Sequence, residues 1–413
     1  MNAIPKPIVP LREDIESRDD GGERKRVLVC VPRYLPGYKS GGPIRAIANM
    51  VANLSAYLDF YVVTRDRDAT DAETYSGITP DRWYRVGDAC VLYCSSVRPS
   101  ILRRAFDDVK PDLISLNSFQ DTFTRTMVLL RWKGAFGDTP MLLAPRGEFS
   151  PGARKIKPAK KLLYRQATRL LGIHERLHWQ ASAPREKEDI LRARPAWRLG
   201  PESVHVAFEM SDAVASALPH PAKRPGEVRL AFIARMSEMK NLHFLLEILP
   251  EVRGRVELNL FGPVADNDAD YWNRCKQLLA KLPGHIRAGY YGSLDHSAVP
   301  QVLHDHHFFV LPTRGENFCH AAVESFVNGT PAILSDQTPW VGLHEVHAGF
   351  DIPLSDRRRW IAVLQECVNM DQLAYAIYLN GTKEYSQRYS VEEAVRQHLA
   401  MFTGIVGAVD TNR

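Results

Sequence analysis

Three groups of residues in this chain of 413 have the types and spacing to do chemistry. The first is Gly315-Glu316-Asn317-Phe318-Cys319-His320-Ala321-Ala322-Val323-Glu324. Its two carboxylates would stand about 80° apart around a helix and roughly 12 Å along it if the whole stretch were helical. Such a separation keeps Glu316 and Glu324 from gripping one metal ion and suits them to distant hydroxyls of one elongated ligand. Glu324 sits between Val323 and Phe326, ahead of Gly329, which weakens the case for a solvated helix position. His320 is one turn from Glu324, but two ligands without a third do not make a metal site. The second group is Arg235 and Lys240, in a loop between a strand and a helix. Two cations at the carboxyl edge of a parallel sheet suit a diphosphate; two solvated surface charges are the bland alternative. A charge-assisted hydrogen bond is worth ~1.5–3 kcal/mol, against ~0.3–1 kcal/mol from a helix N-terminus, so these side chains would dominate the stabilisation of a departing diphosphate. The third group is Gly41-Gly42-Pro43, where bare backbone amides can approach an anionic or polyhydroxyl ligand or simply make a tight turn.

These groups must be positioned by an alternation of short apolar runs and amphipathic stretches, the pattern of an α/β protein with parallel sheets. Val27–Val31 reads as a strand buried on both faces, and a loop through Gly41-Gly42 leads from it into Pro43. Ile44, Ile47, Met50, Val51 and Leu54 then recur at helical spacing. Phe60–Val63, Leu113–Leu116 and Met141–Ala144 supply further strands. A second start follows: strand Val228–Ile233, loop Ala234–Lys240, a helix from Asn241 through Leu249, strand Val256–Phe261 ended by Gly262-Pro263, helical residues near Asp268–Lys281, and strands Phe308–Leu311 and Ala332–Leu334. The expected organisation is a disordered leader over 1–25, a first Rossmann-like domain over 26–218, a proline-rich linker over 219–226, a second Rossmann-like domain over 227–385, and over 386–413 a helix crossing back to the first domain, with a tail.

Composition removes several classes. Apolar residues make up 45% and charged residues 24%, as in ordinary globular proteins. No apolar run approaches the ~18 residues of a membrane-spanning helix, and the leader lacks the apolar core of a secretory signal. The net charge of +5 is too weak to argue nucleic-acid binding. Six cysteines (Cys30, Cys90, Cys94, Cys275, Cys319 and Cys367) read as reduced, buried thiols of a cytoplasmic protein, and Cys90-x3-Cys94 lacks the second pair that a zinc site needs. His304-Asp305-His306-His307 has no distant partner and reads as a loop run. No G-x-G-x-x-G follows a strand, against a dinucleotide dehydrogenase. Arg154, Lys155, Lys157, Lys160, Lys161, Arg165 and Arg169, interleaved with Leu162, Leu163 and Tyr164, make either a solvated helix face or a patch that docks on anionic lipid.

Phe232-Ile233-Ala234-Arg235-Met236 with Lys240-Asn241 resembles the donor loop of family 4 (group 1) retaining glycosyltransferases. Glu316 to Glu324 resembles that family's E-x7-E motif, Asn328-Gly329-Thr330-Pro331-Ala332-Ile333 its step into the following strand, and Gly41-Gly42 its N-terminal glycine loop. The resemblance covers roughly residues 26 to 400. It implies the GT-B fold, two Rossmann-like domains facing each other across a cleft. It also implies transfer of a sugar from a nucleoside diphosphate sugar, a co-substrate rather than a cofactor, to a hydroxyl of a glycan or lipid-linked acceptor. The anomeric configuration would be kept, no metal would be used, and the setting would be bacterial surface polysaccharide synthesis. Under it, Arg235 and Lys240 hold the diphosphate, Glu316 the donor sugar and Glu324 the ribose. Asn317, Phe318 and Cys319 offer backbone amides, Gly41 and Gly42 belong to the donor-binding set with Gly42 closing the diphosphate side, Gly262 lines the same cleft, and the base is read around residues 290–295. The sequence departs from the pattern at Ala234, where glycine is usual, at Asn317, and in having Ala144-Pro145-Arg146-Gly147 where many members place a histidine; Arg146 is the acceptor-side residue expected in its place. The expected localisation is cytoplasmic, peripheral on the inner membrane face through Arg154–Arg169. A GT-B sugar-nucleotide epimerase or hydrolase, and an inactive partner subunit of the same fold, are the alternatives.

Overall fold

Val27, Leu28, Val29 and Cys30 are all buried, because the strand they form is covered on both faces. The computed structural model describes residues 8–11, 24–39, 41–69, 71–150, 166, 168, 172–193, 200–211, 213, 215–216, 218–265 and 268–407. Contacts divide the chain into two units, Asn2–Met210 with Val391–Arg413, and Ser211–Ser390.

The first unit holds strands β1 (Ile8–Pro10), β2 (Lys25–Cys30), β3 (Leu58–Arg65), β4 (Trp83–Val86), β5 (Ala89–Cys94), β6 (Leu113–Asn117), β7 (Met141–Ala144), β8 (His178–Ala181) and β9 (Val204–Val206). Their order across the sheet is β1-β4-β5-β3-β2-β6-β7-β8-β9. Neighbours from β5 to β9 are parallel, while β4 turns back antiparallel on β5 and carries β1 antiparallel on its outer edge. β1 corrects the expectation of a disordered leader over its own residues: Ile8 pairs with Val86 and Pro10 with Tyr84. Proline is tolerated there because an outermost strand has a spare edge. One face of the sheet buries Leu28, Tyr61 and Leu116; the other buries Val27, Val29 and Val62. The second face is completed by Ala394, Met401 and Phe402 from the helix Val391–Val406.

The second unit holds β10 (Glu227–Ile233), β11 (Arg255–Phe261), β12 (Ile286–Tyr290), β13 (Phe308–Leu311), β14 (Ala332–Ser335) and β15 (Gly349–Ile352). They run in the order β12-β11-β10-β13-β14-β15 with every neighbour parallel. In both sheets the order reverses beside the first parallel strand, between β2 and β6 and between β10 and β13. A crevice opens at the carboxyl ends of the strands at such a reversal, and ligands of open α/β sheets gather there.

The proline-rich 219–226 stretch is fastened to the second unit rather than spanning between units. The Lys223 ammonium is buried and donates to the carbonyls of Arg224, Val368 and Met370 at 2.9, 3.2 and 2.8 Å. The unit boundary lies between Met210 and Ser211. The basic stretch Arg154–Arg169 lies outside the described residues except for Gln166 and Thr168. Among the described residues no helix is long and apolar enough to cross a membrane. The cysteines are buried and form no disulfide, and His306 and His307 are held by backbone groups, Nδ1 of His306 against the Val302 carbonyl and Nδ1 of His307 accepting from the Arg229 N–H.

Four histidines make stability depend on pH. Burial pushes the pKa of His174, His220, His307 and His398 down to about 4. Unfolded imidazoles protonate near 6.5, so between those values the unfolded chain binds more protons. Stability is therefore full above pH ~6.5 and is lost as pH falls toward 4. Urea unfolding at pH 7 and pH 5 should show a lower midpoint at pH 5; equal midpoints would contradict the burial of these rings.

Candidate active site

The loop that leaves β10 stays against the end of β11. Ala234 N–H donates to the Phe261 carbonyl at 2.9 Å and Met236 N–H to that of Pro263 at 3.0 Å. Such an approach leaves no room for a side chain on Gly262. A Cβ there would lie 2.0 Å from the Ala234 carbonyl oxygen, and φ is +137°. Gly262 is held on its other side, its N–H donating to the Gly292 carbonyl at 2.7 Å and its carbonyl accepting from the Tyr290 hydroxyl at 2.9 Å. With Met236 buried as the anchor, Arg235 is left exposed on the loop.

The same loop is laced to the one that leaves β13. The Met239 carbonyl accepts from Arg314 N–H at 2.7 Å and from the Thr313 hydroxyl at 3.1 Å. Asn241, in the left-handed region at φ 61°, donates its side-chain amide to the Pro312 carbonyl at 2.9 Å. Lys240 Nζ then meets Glu316 Oε1 at 2.5 Å, with the two side chains 21% and 11% exposed. A cation and a carboxylate thus face one another at the mouth of the crevice between β10 and β13.

Glu316 and Glu324 do not share a helix. The helix is His320–Val327, and Cys319 precedes it at φ 69°, with its carbonyl accepting from Ala322 and Val323 N–H. The helical separation of the two carboxylates therefore does not apply; Glu316 belongs to the loop, its N–H donating to the Gln337 carbonyl at 3.0 Å. Phe318 is wedged edge-on against Trp340 at 5.4 Å, and its carbonyl accepts from Trp340 Nε1 at 2.6 Å. Burial pushes the Cys319 thiol pKa above its usual value, with the Glu316 charge adding to the shift, so it is no thiolate nucleophile. Glu324 is buried, and His296 Nδ1 stands 3.6 Å from its Oε1. His296 follows Asp295, whose carboxylate accepts from Ser297 N–H at 2.9 Å and fixes the turn. Sequence reasoning missed His296; only the Asp295-x-Ser297 turn signal lay nearby, and its meeting with Glu324 is tertiary. Among the described residues no three His, Cys, Asp or Glu side chains are grouped to hold a metal ion.

In the first unit Gly41 has φ 64° at the start of the helix Gly42–Leu54, and Asp68 steadies the preceding loop by accepting from the N–H groups of Tyr38 and Lys39 at 2.7 and 3.0 Å. Arg146 lies at the carboxyl end of β7, but its guanidinium is committed. Nη1 pairs with Glu209 Oε1 at 2.9 Å, while Nη2 and Nε donate to Asn117 Oδ1 at 2.8 and 3.2 Å. Around it a cavity of about 240 Å³ is lined by Arg33, Pro43, Asn117, Ser118, Arg146 and Glu148 among others.

Residues 227–369 match the family model described as glycosyl transferases group 1. That segment contains Arg235, Lys240, Gly262, Glu316 and Glu324. No curated protein matches the chain. Among solved structures, sucrose-phosphate synthase from Thermosynechococcus elongatus is similar with a TM-score of 0.70 and 16% identity, over 92% of this chain and 99% of that one. Anabaena Alr3699/HepE in complex with UDP and glucose gives a TM-score of 0.66 and 14% identity over 92% and 100%. The E. coli trehalose-6-phosphate protein bound with UDP-2-fluoro glucose gives 0.67 and 12% over 93% and 100%. At these identities the likeness is one of fold, and the fold is the expected GT-B type with two Rossmann-like units.

The crowding at Gly262 is directly testable. Left-handed strain and the overlap with Ala234 together cost about 1–3 kcal/mol, and a unit of this size loses roughly 2–4 °C per kcal/mol. Gly262→Ala should lower the melting temperature by about 2–12 °C in scanning calorimetry, and an unchanged transition would contradict the contact.

Proposed function

We propose that this protein is a retaining glycosyltransferase that moves a sugar from a nucleoside diphosphate sugar to a hydroxyl of a glycan or lipid-linked acceptor, in bacterial surface polysaccharide synthesis. The observation that carries the reading is the Lys240–Glu316 pair at the crevice between β10 and β13, 2.5 Å apart and partly exposed. It lies within the segment that matches group 1 glycosyl transferases.

In this reading the difficult event is departure of the nucleoside diphosphate while positive charge grows on the sugar ring. Arg235 and Lys240 meet the negative charge that develops on the leaving phosphate, which is electrostatic stabilisation by groups already in place. Glu316 serves twice, holding the Lys240 ammonium at the crevice and accepting from hydroxyls of the donor sugar. Glu324, buried one helix away, accepts from the ribose hydroxyls, with His296 beside it. Asn317, Phe318 and Cys319 supply N–H groups near the start of the helix His320–Val327, where the helix dipole favours an anion. Attack comes from the face that the phosphate leaves, so the anomeric configuration is kept and the leaving phosphate takes the acceptor proton. The two cations supply the positive charge that a metal ion would otherwise bring.

Anabaena Alr3699/HepE was solved with UDP and with UDP-glucose, and the E. coli protein with UDP-2-fluoro glucose, which makes UDP-sugars the first donors to test. A ligand held at 100 times its Kd stabilises the folded state by about 2.7 kcal/mol. A thermal-shift screen of UDP-, GDP- and ADP-sugars should therefore give one class that raises the melting temperature by several degrees. With that donor, Lys240→Ala should cut turnover by orders of magnitude while the circular-dichroism spectrum stays the same; near-normal turnover would remove Lys240 from the mechanism. Conversion of the donor alone, to an isomerised sugar nucleotide or free sugar, would favour the epimerase or hydrolase alternative.

A further inference from the structure

The cavity at the carboxyl ends of β2 and β6 contains a cation that the donor site does not use. Arg33 follows β2 and lines this cavity, and among the described residues it makes no ion pair. Its Nη1 donates to the carbonyl of Pro32 at 2.7 Å, and its Nε is buried with no acceptor. The acidic groups around it are engaged. Asp68 accepts from the N–H groups of Tyr38, Lys39 and Ala69, and Asp121 accepts from Phe123 N–H at 2.8 Å and lies 3.9 Å from Arg65. Burial and the neighbouring Arg65 charge hold the Arg33 pKa below its ordinary value, with Tyr75, Asp68 and Asp121 opposing them. The other guanidinium in the wall, Arg146, is already neutralised by Glu209.

A half-buried guanidinium with an unsatisfied donor destabilises the empty protein. An oxyanion entering the cavity would remove that penalty through charge-assisted and bidentate hydrogen bonds. The rest of the lining suits a sugar. Glu148, which accepts from the Ser118 hydroxyl and from Gln120 N–H at 3.1 Å, sets a polar carboxylate and hydroxyl in the wall, and Pro43 and Ile44 provide a small apolar one. At about 240 Å³ the space holds one sugar-sized end rather than an oligosaccharide.

We propose that this cavity binds the acceptor and that Arg33 grips an anionic group on it, a carboxylate or a phosphate, while Glu148 and Ser118 meet its hydroxyls. The inference deepens the transferase reading and rests on it: the acceptor is an acidic sugar or a sugar phosphate, not a neutral glycan end.

The test is direct binding to the full chain, followed by saturation-transfer NMR, with D-glucuronate, α-D-glucose 1-phosphate and D-glucose as probes. Arg235→Gln and Lys240→Gln are introduced throughout to remove anion binding at the other unit. At least one anionic probe should bind tenfold or more tightly than glucose, and adding Arg33→Gln should erase that margin. Preference for glucuronate assigns the group as a carboxylate, and preference for glucose 1-phosphate assigns it as a phosphate. Because, among the described residues, the guanidinium makes no ion pair and its one hydrogen bond is to the adjacent Pro32 carbonyl, Arg33→Gln should leave the melting temperature unchanged or raise it. Equal binding of all three probes, or a margin that survives Arg33→Gln, overturns the proposal. So does a melting temperature several degrees lower, which would make Arg33 a structural residue. Donor turnover is not read, so failure here is distinguishable from failure of the transferase reading, which is decided by donor binding and Lys240→Ala.

Discussion

The ion pair between Lys240 and Glu316 spans the one place in the second unit where the fold itself leaves a gap. β10 and β13 are hydrogen-bonded neighbours, yet the chain leaves them in opposite senses of strand order, so their loops diverge above the sheet. Three of the ties between those loops are Asn241 to the Pro312 carbonyl, Arg314 and Thr313 to the Met239 carbonyl, and this ion pair. The first two are directed hydrogen bonds that fix geometry. The third is partly solvated, so its net contribution to stability is small, and its value lies in holding a cation and a carboxylate in one orientation. A charged ligand can then exchange with water at the mouth of the crevice without breaking the lacing beneath it.

The first unit uses the same reversal differently. At the carboxyl ends of β6 and β7, Arg146 is paired with a carboxylate and serves as scaffold, joining Asn117 to Glu209. Arg33, leaving β2 on the opposite lip, is the cation without a carboxylate. Residue type alone does not separate these two arginines; pairing does. A guanidinium already neutralised by a carboxylate stabilises a wall, whereas one with a spare buried donor favours an incoming anion.

Much of this was legible in the sequence. Continuous apolar runs such as Val27–Val31 and Phe308–Leu311 announced strands buried on both faces, and the two successive starts announced two Rossmann-like units. Strands that fail that pattern were not visible. Ile286–Tyr290 mixes Arg287, Gly289 and exposed Tyr290, and Gly349–Ile352 begins on a glycine; both are strands because their neighbours supply the ladder. Arg235, Lys240, Glu316 and Glu324 could be named from spacing and resemblance, but not their pairing. Lys240 meets Glu316 only because β10 and β13 are adjacent, and His296 meets Glu324 only through the tertiary fold. Arg146 shows the converse. Its sequence setting marked a cation at a strand end, whereas Glu209, which neutralises it, is far along the chain and carries no local signal.

The helix Val391–Val406 buries Met401 and Phe402 in the core of the first unit although it is made after the whole of the second. In topological terms Ser211–Ser390 is a cassette inserted into a host fold whose sequence resumes on the far side. A chimera that borrows another protein's specificity for one half must therefore cut the chain twice, at both seams. A single crossover would give the recipient a hydrophobic floor shaped by one parent and a closing helix shaped by the other.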